Sequence, residues 1–213
     1  MGPFWSVSRS RCRGLGSHMR AVKAVPSAVN LTWGVDTLSP VTKQTAIALV
    51  AKGCTFRGGY LFDVTPEEVS DQISVGLAFM PIARAMYLNG PACVQRLAQL
   101  GIPHGVTVWC DVEGEGLEIA DVTARVNAWA SVVQTAGYEA GMYVGAGCPL
   151  SSTQLTGLAV TRYWASCSRA LVPERGYCAI QLRPDDVYVA GLRVDVDVVQ
   201  VDYHGDLPTF AGA

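Results

Sequence analysis

Charge is scarce in this sequence. Only 16% of its 213 residues are Asp, Glu, Lys or Arg, while 50% are hydrophobic. With a mean hydropathy of +0.25, that balance excludes long solvated, disordered tracts and charge-laced coiled coils. Histidine is nearly missing: beyond the first 18 residues only His104 and His204 occur. There is no HExxH, no Gly-x-Ser-x-Gly elbow and no P-loop, so zinc-protease, hydrolase-elbow and phosphate-cradle chemistries find no footing. Cys54, Cys93, Cys110, Cys148, Cys167 and Cys178 form no CxxC pair and have no metal-ligand spacing, which rules out a zinc ribbon. Most of them sit in apolar runs and read as small buried hydrophobes rather than bridges. No apolar run approaches the ~18–20 residues of a bilayer crossing, so no membrane span is expected.

Basic charge is confined to one end. Residues 1–35 hold five basic side chains (Arg9, Arg11, Arg13, Arg20, Lys23) and no acidic one, leaving 11 basic against 18 acidic in the remainder. A nucleic-acid partner would need a basic body, and this body is acidic. The first stretch ends in Gly16-Ser17-His18-Met19, which looks like an expression-vector junction. Residues 1–18 are therefore read as a tag, and 19–213 as a single barrel-sized domain.

What is present in quantity is a set of short apolar runs. They fall at 31–36, 54–61, 76–82, 105–112, 141–145, 163–167, 177–182 and 194–201, and each reads as a strand. Helix-compatible segments at 42–51, 66–74, 92–100 and 119–136 separate the first five. The last is the clearest: Val122, Val126, Trp129 and Val133 fall on one helical face, and Gly137 supplies the stop. Nearly continuous apolar strands alternating with helices imply a parallel sheet buried on both faces, and eight of them imply an α/β, TIM-like barrel. Beyond residue 167 the connections shrink to about ten residues, short for a helical crossover. The expectation is five β/α units followed by three strands with little helix. An eighth strand running antiparallel to the seventh would begin at the mouth where barrel active sites collect.

With so little histidine, acid and base work falls to carboxylates. Asp36 closes the first predicted strand, Asp111 and Glu113 close the fourth, and Asp195 and Asp197 open the eighth. Residues two apart on a strand point the same way, so Asp111 and Glu113 share a direction that Cys110 and Val112 do not. Two carboxyls about a glycosidic bond, one protonated and one ionised, are the usual machinery of glycoside hydrolysis. Glu113 is the expected acid, its proton held by the neighbouring Asp111 charge. Trp33, Tyr60, Trp109, Tyr143 and Trp164 lie near strand ends, where they could stack on sugar rings or simply pack. Arg57 is expected to pair with Asp36, and Gln181 to bond a substrate hydroxyl. Trp129 reads as core, His104 as lying at the opposite rim, and His204 with Asp202 and Asp206 as a solvated tail. No metal or cofactor is called for.

These residues carry a resemblance. Gly34-Val35-Asp36, Phe56 and Tyr60, segment 61–68, Gly76-Leu77-Ala78-Phe79-Met80-Pro81-Ile82 and Gly137-Tyr138-Glu139-Ala140-Gly141-Met142-Tyr143 resemble the glycoside-hydrolase-like domain known as DUF1906. Trp109-Cys110-Asp111-Val112-Glu113, Tyr163-Trp164-Ala165, Ala179-Ile180-Gln181-Leu182 and segment 191–197 are similar to family 25 lysozymes, whose barrel has five β/α units and three further strands. The resemblance implies a muramidase-like site acting on peptidoglycan at a cell wall, secreted or phage-delivered. In it Glu113 is the general acid, and Asp111 helps the substrate's N-acetyl group act as nucleophile. Asp36 and Asp195 match the acidic residues of the first and eighth strands, and Asp197 stands where lysozymes more often carry Asn. A second reading keeps the groove and loses the chemistry: a catalytically silent carbohydrate- or cell-wall-binding barrel.

Overall fold

The computed structural model describes residues 22–26, 31–84, 89–114, 117–168 and 172–212; the segment read as a tag lies outside them. Five β/α units come first. They are β2 (Thr32–Asp36) and α1 (Lys43–Ala51), β3 (Phe56–Tyr60) and α2 (Pro66–Ser74), then β4 (Ala78–Arg84) and α3 (Gly90–Gln99). β5 (Thr107–Val112) with α4 (Ile119–Thr135), and β6 (Glu139–Val144) with the single-turn α5 (Ser152–Thr156), complete the set. β7 (Arg162–Ala165), β8 (Ala179–Gln181) and β10 (Leu192–Val199) follow with no helix between them among the described residues. Helix starts are encoded locally: the Thr65 hydroxyl accepts from the Glu68 N–H with Pro66 in the first turn, and Ser151 and Gln154 form a reciprocal capping box.

Strands β2 to β8 pair in parallel, in order. β10 closes the ring, antiparallel to both β8 and β2. Its reversal comes from β9 (Val187–Val189), whose hairpin with β10 turns at Ala190 and Gly191, both at positive φ. The ring is a closed eight-stranded barrel, as expected. Three short strands escaped the sequence reading: β9, β1 (Lys23–Pro26) and β11 (Thr209–Gly212). β1 and β11 pair with each other, and β11 touches β4 through Ala211 and Phe79. Each is too short to show a periodicity of its own.

Alternation along the strands sorts the side chains into two layers. On β5, Val108, Cys110 and Val112 point outward into a cluster with Val122, Val126, Trp129 and Val133 of α4. Trp109 points inward with Phe56, Met80, Ile82, Tyr143 and Trp164. Phe210 of β11 stacks 4.7 Å from Phe56, the first residue of β3, and so fills the end opposite the mouth. Cys54, Cys110 and Cys178 are buried thiols without disulfides.

Candidate functional site

The inward positions at the C-terminal ends of the parallel strands change from apolar to acidic. The register of β10 makes this possible. Because β10 enters from the mouth, Asp195 lies opposite Asp36 of β2, and Asp197 lies opposite Gly34 on one side and Gln181 on the other. From β5, Asp111 lies opposite Tyr143 of β6. Gly58 of β3 makes room: a Cβ there would fall 2.8 Å from the Asp36 Cβ. Carboxyls from the first, fourth and last strands of the closed ring thus meet at one opening.

That opening holds a pocket of about 400 Å³ lined by Asp36, Glu113 and Asp195, with Tyr143, Trp164 and Gln181 below. Such a volume lies within the range of small-molecule sites, roughly 300–1,000 Å³. A second pocket of about 930 Å³ adjoins it, walled by aliphatic side chains such as Leu38, Leu117 and Val122, with Arg84 and Arg125 also lining it. The two share Tyr60, Glu113 and Ala146. Glu113, exposed at the rim, stands at the junction.

Hydrogen bonds hold the floor. The Tyr60 hydroxyl donates to Asp111 Oδ2 at 3.1 Å. The Tyr143 hydroxyl donates to Gln181 Oε1 at 3.0 Å, and the Trp164 indole N–H donates to Asp197 Oδ1 at 3.0 Å. Tyr143 and Trp164 pack with ring centroids 4.4 Å apart. Arg84 lies over the Tyr60 ring at 4.7 Å and pairs with Asp63 at 2.8 Å.

The electrostatics are unusual for carboxylates. Burial pushes Asp36 up to about 7, and the Asp195 charge adds to it, against hydrogen bonds from Asp197 and Gln181. Asp111 also rises to about 7, through burial and then the Glu113 charge, with the Tyr60 hydroxyl opposing. Glu113 itself is raised by burial and then by Asp195. The sequence reading assigned that second role to Asp111. The structure gives it to Asp195, brought across the mouth by β10, while Asp111 feels the Glu113 charge. Asp197 is raised well above its ordinary value by burial, then by the charge of Asp36. In every case loss of water is the leading cause. Among the described residues no group of three or more His, Cys, Asp or Glu side chains is placed to hold a metal ion.

Several expected site residues lie elsewhere. Trp109 is fully buried with its ring 5.9 Å from Trp164; two residues below Asp111 on the same inward face, it packs beneath the floor and meets no solvent. Asp197 is likewise fully buried and supports the pocket from below. Arg57 follows the inward-facing Phe56 and so points outward, where its guanidinium pairs with Glu68 of α2 at 3.4 Å and donates to the carbonyls of Thr37 and Ser39. It reaches Asp36 only as a distant charge. Trp33 packs on the outer cluster with Val35 and Leu49. Nor is the segment around His204 a solvated tail: Arg175 bonds Asp202 at 2.7 Å and Asp206 at 2.6 Å. His104 packs edge-on against Tyr138, away from the mouth. The sequence reading missed the rim contributed by the loops after β7 and β8, including Ser166, Arg183, Asp185 and Asp186. Polar residues in loops after strands seven and eight of a predicted barrel were the available signal.

No family model matches the chain, and no curated protein does. Solved structures do. A Tat-secreted protein of Mycobacterium tuberculosis, crystallised with L-tartrate, superposes with a TM-score of 0.59 at 16% identity, over 81% of this chain and 99% of that one. An uncharacterised protein of B. stearothermophilus gives 0.57 at 19% identity, over 79% and 95%. A family 25 glycosyl hydrolase of Bacillus anthracis gives 0.57 at 11% identity, over 80% and 89%. At these identities the likeness is one of fold: the chain has a barrel like that of the B. anthracis glycosyl hydrolase.

Proposed function

We propose that this chain, a DUF1906-like relative of the family 25 lysozymes, hydrolyses β-linked amino sugars of a peptidoglycan-like glycan at the cell wall. The observation that carries this reading is Glu113, a carboxyl of raised pKa at the junction of two pockets, with Asp36, Asp111 and Asp195 gathered around it. A glycan lying across both pockets puts a scissile oxygen beside Glu113, with Asp111 on the side of the larger pocket and Asp36 and Asp195 on the side of the smaller.

The Glu113 O–H proton then passes to that oxygen, and the bond from C1 to the oxygen breaks with its electron pair going to the leaving group. The acetamido carbonyl oxygen of the sugar bonds to C1. Asp111, held by Tyr60, accepts the acetamido N–H and offsets the positive charge that develops. Water then attacks C1 while Glu113 takes a proton from it, and the bond from C1 to the acetamido oxygen breaks with its electron pair returning to the acetamide. Asp36 and Asp195 add negative potential at the sugar, and Tyr143, Trp164 and Gln181 shape the floor on which it rests.

The test is reducing-end release from purified cell walls by the native chain and by Glu113→Gln. Release by the first and its loss in a folded second supports the reading. Binding by both with release by neither overturns the catalytic part and leaves a carbohydrate-binding barrel.

A further inference from the structure

At the floor of the smaller pocket sits a pair of carboxyls, Asp36 lining it and Asp197 beneath. Asp36 is 7% exposed and Asp197 is 0% exposed. They are diagonal neighbours on the inward face of the adjacent strands β2 and β10, close enough for each to shift the proton affinity of the other, and each has a buried Oδ2 that meets no hydrogen-bond partner. A carboxylate is an acceptor only, so a hydrogen bond between two carboxyls requires a proton on one of them. Arg57 acts on Asp36 only as the least of the influences on it, its guanidinium pairing with Glu68 and donating to two backbone carbonyls in the outer layer. Two unpaired charges this deep would be far costlier than one proton retained.

The groups facing the pair agree. Trp164 of β7 donates to Asp197 Oδ1, leaving Oδ2 as the oxygen that can carry a proton. Gln181 of β8 accepts at Oε1 from the Tyr143 hydroxyl and the Cys167 N–H, so its amide NH₂ is free to turn toward Asp36, whose proton affinity it lowers. Asp195 lies beside Asp36 on β10 and adds a like charge. Asp36 also repels charge on Asp111 of β5, on Tyr60 of β3 and on Tyr143 of β6, and Asp197 acts the same way on Cys54. Every one of these neighbours is neutral or acidic.

We infer that Asp36 and Asp197 hold one proton between them and act as a single monoanion, with Asp197 a positioning residue whose carboxylic O–H donates to Asp36. Asp36 is then an oriented acceptor at the pocket, fixed from below by the Asp197 O–H and from the side by the Gln181 amide. In this role Asp197 does what a neutral amide could do. The proton count stands independently of the proposed glycosidase; the positioning of a sugar by Asp36 rests on that reading.

The experiment is carbon NMR of the full chain labelled at the aspartate carboxyls, titrated through the neutral range, for the native chain, Asp197→Asn and Asp36→Asn. The native chain is expected to show two coupled carboxyls leaving the protonated state in two separate steps, and each variant a single step at the remaining one. Either variant suffices if the other does not fold. Ionisation of both Asp36 and Asp197 below the neutral range in the native chain, or a two-step titration that persists at the remaining carboxyl of the pair in a folded variant, overturns the inference. Turnover on cell walls gives the second arm. Asp197→Leu should lose roughly 10- to 100-fold, while Asp197→Asn, which keeps a donor, should restore most of it. Equal losses in Leu and Asn variants overturn the positioning role. Absence of release by the native chain strikes the glycosidase reading and leaves the NMR result to decide the shared proton.

Discussion

Two acidic clusters in this molecule each hold a carboxyl with little exposed surface, and they behave in opposite ways. Asp202 is 6% exposed and Asp36 is 7% exposed. Burial raises the proton affinity of both, yet at Asp202 it is outweighed by the backbone N–H groups of Asp206 and His204 and by Arg175, so the carboxyl stays below its ordinary value. At Asp36 the loss of water is greater and outweighs the opposing influence of Asp197, Gln181 and Arg57, so the value climbs to about 7. A carboxylate that ties chain segments together comes with its cation; those at the mouth come with more carboxylates. That difference separates a structural cluster from one available for chemistry.

The comparison can be broken in several ways. The largest expected effect is on turnover: Glu113→Gln should lower glycan hydrolysis by roughly 10²–10⁴-fold, the worth of a positioned acid, with unfolding by denaturant little changed. Next, Arg175→Leu should strip Asp202 and Asp206 of their partner and cost about 3 kcal/mol in a denaturant melt. Arg84→Leu, at a partly exposed pair, should cost about 1 kcal/mol or less. If the two losses matched, the contrast in burial would mean little.

Between these two, and at the mouth, Gly58→Ala should cost about 2 kcal/mol by driving a methyl group against Asp36, Met80 and Ile82.

The pH dependence sharpens the contrast. Asp36 and Asp111 are raised to about 7, against about 3.9 for an unfolded aspartate. Between those values the folded chain holds more protons than the unfolded one, so these groups make stability fall as pH rises through that window. The slope is about 1.4 kcal/mol per pH unit for each extra proton. Asp202, lowered, contributes stability above the unfolded value that is lost as pH falls below it. Thermal melts of Asp36→Asn should therefore show a shallower decline between pH about 4 and 7. Arg175→Leu should flatten only the acid limb. An unchanged profile in Asp36→Asn would place its carboxyl among ordinary ionised ones.

Much of this was legible. Asp36, Asp111, Glu113 and Asp195 stand at the ends of runs whose apolar character marks them as strands, and a period of two assigns them a common direction. The same rule, applied from Phe56, sends Arg57 outward; the expectation of a pair with Asp36 ignored it, because a buried arginine between barrel and helices is uncommon. Trp109 and Asp197 share the inward direction of their neighbours, and alternation alone could not tell floor from sub-floor. β9 was hidden because three residues carry no period, and the hairpin it forms is what brings β10 in from the mouth.

By itself, the order of residues determined the strands, most of the helices and the face on which each carboxyl lies, since these follow from chain stereochemistry over a few neighbours. Tertiary structure alone decided how deep each inward side chain sits and which charges face one another. Depth depends on the stagger between strands far apart in sequence, and the Asp36 to Asp195 encounter on an antiparallel closure of the ring. The mouth's proton affinities follow from that closure, because water is excluded only once the ring is complete.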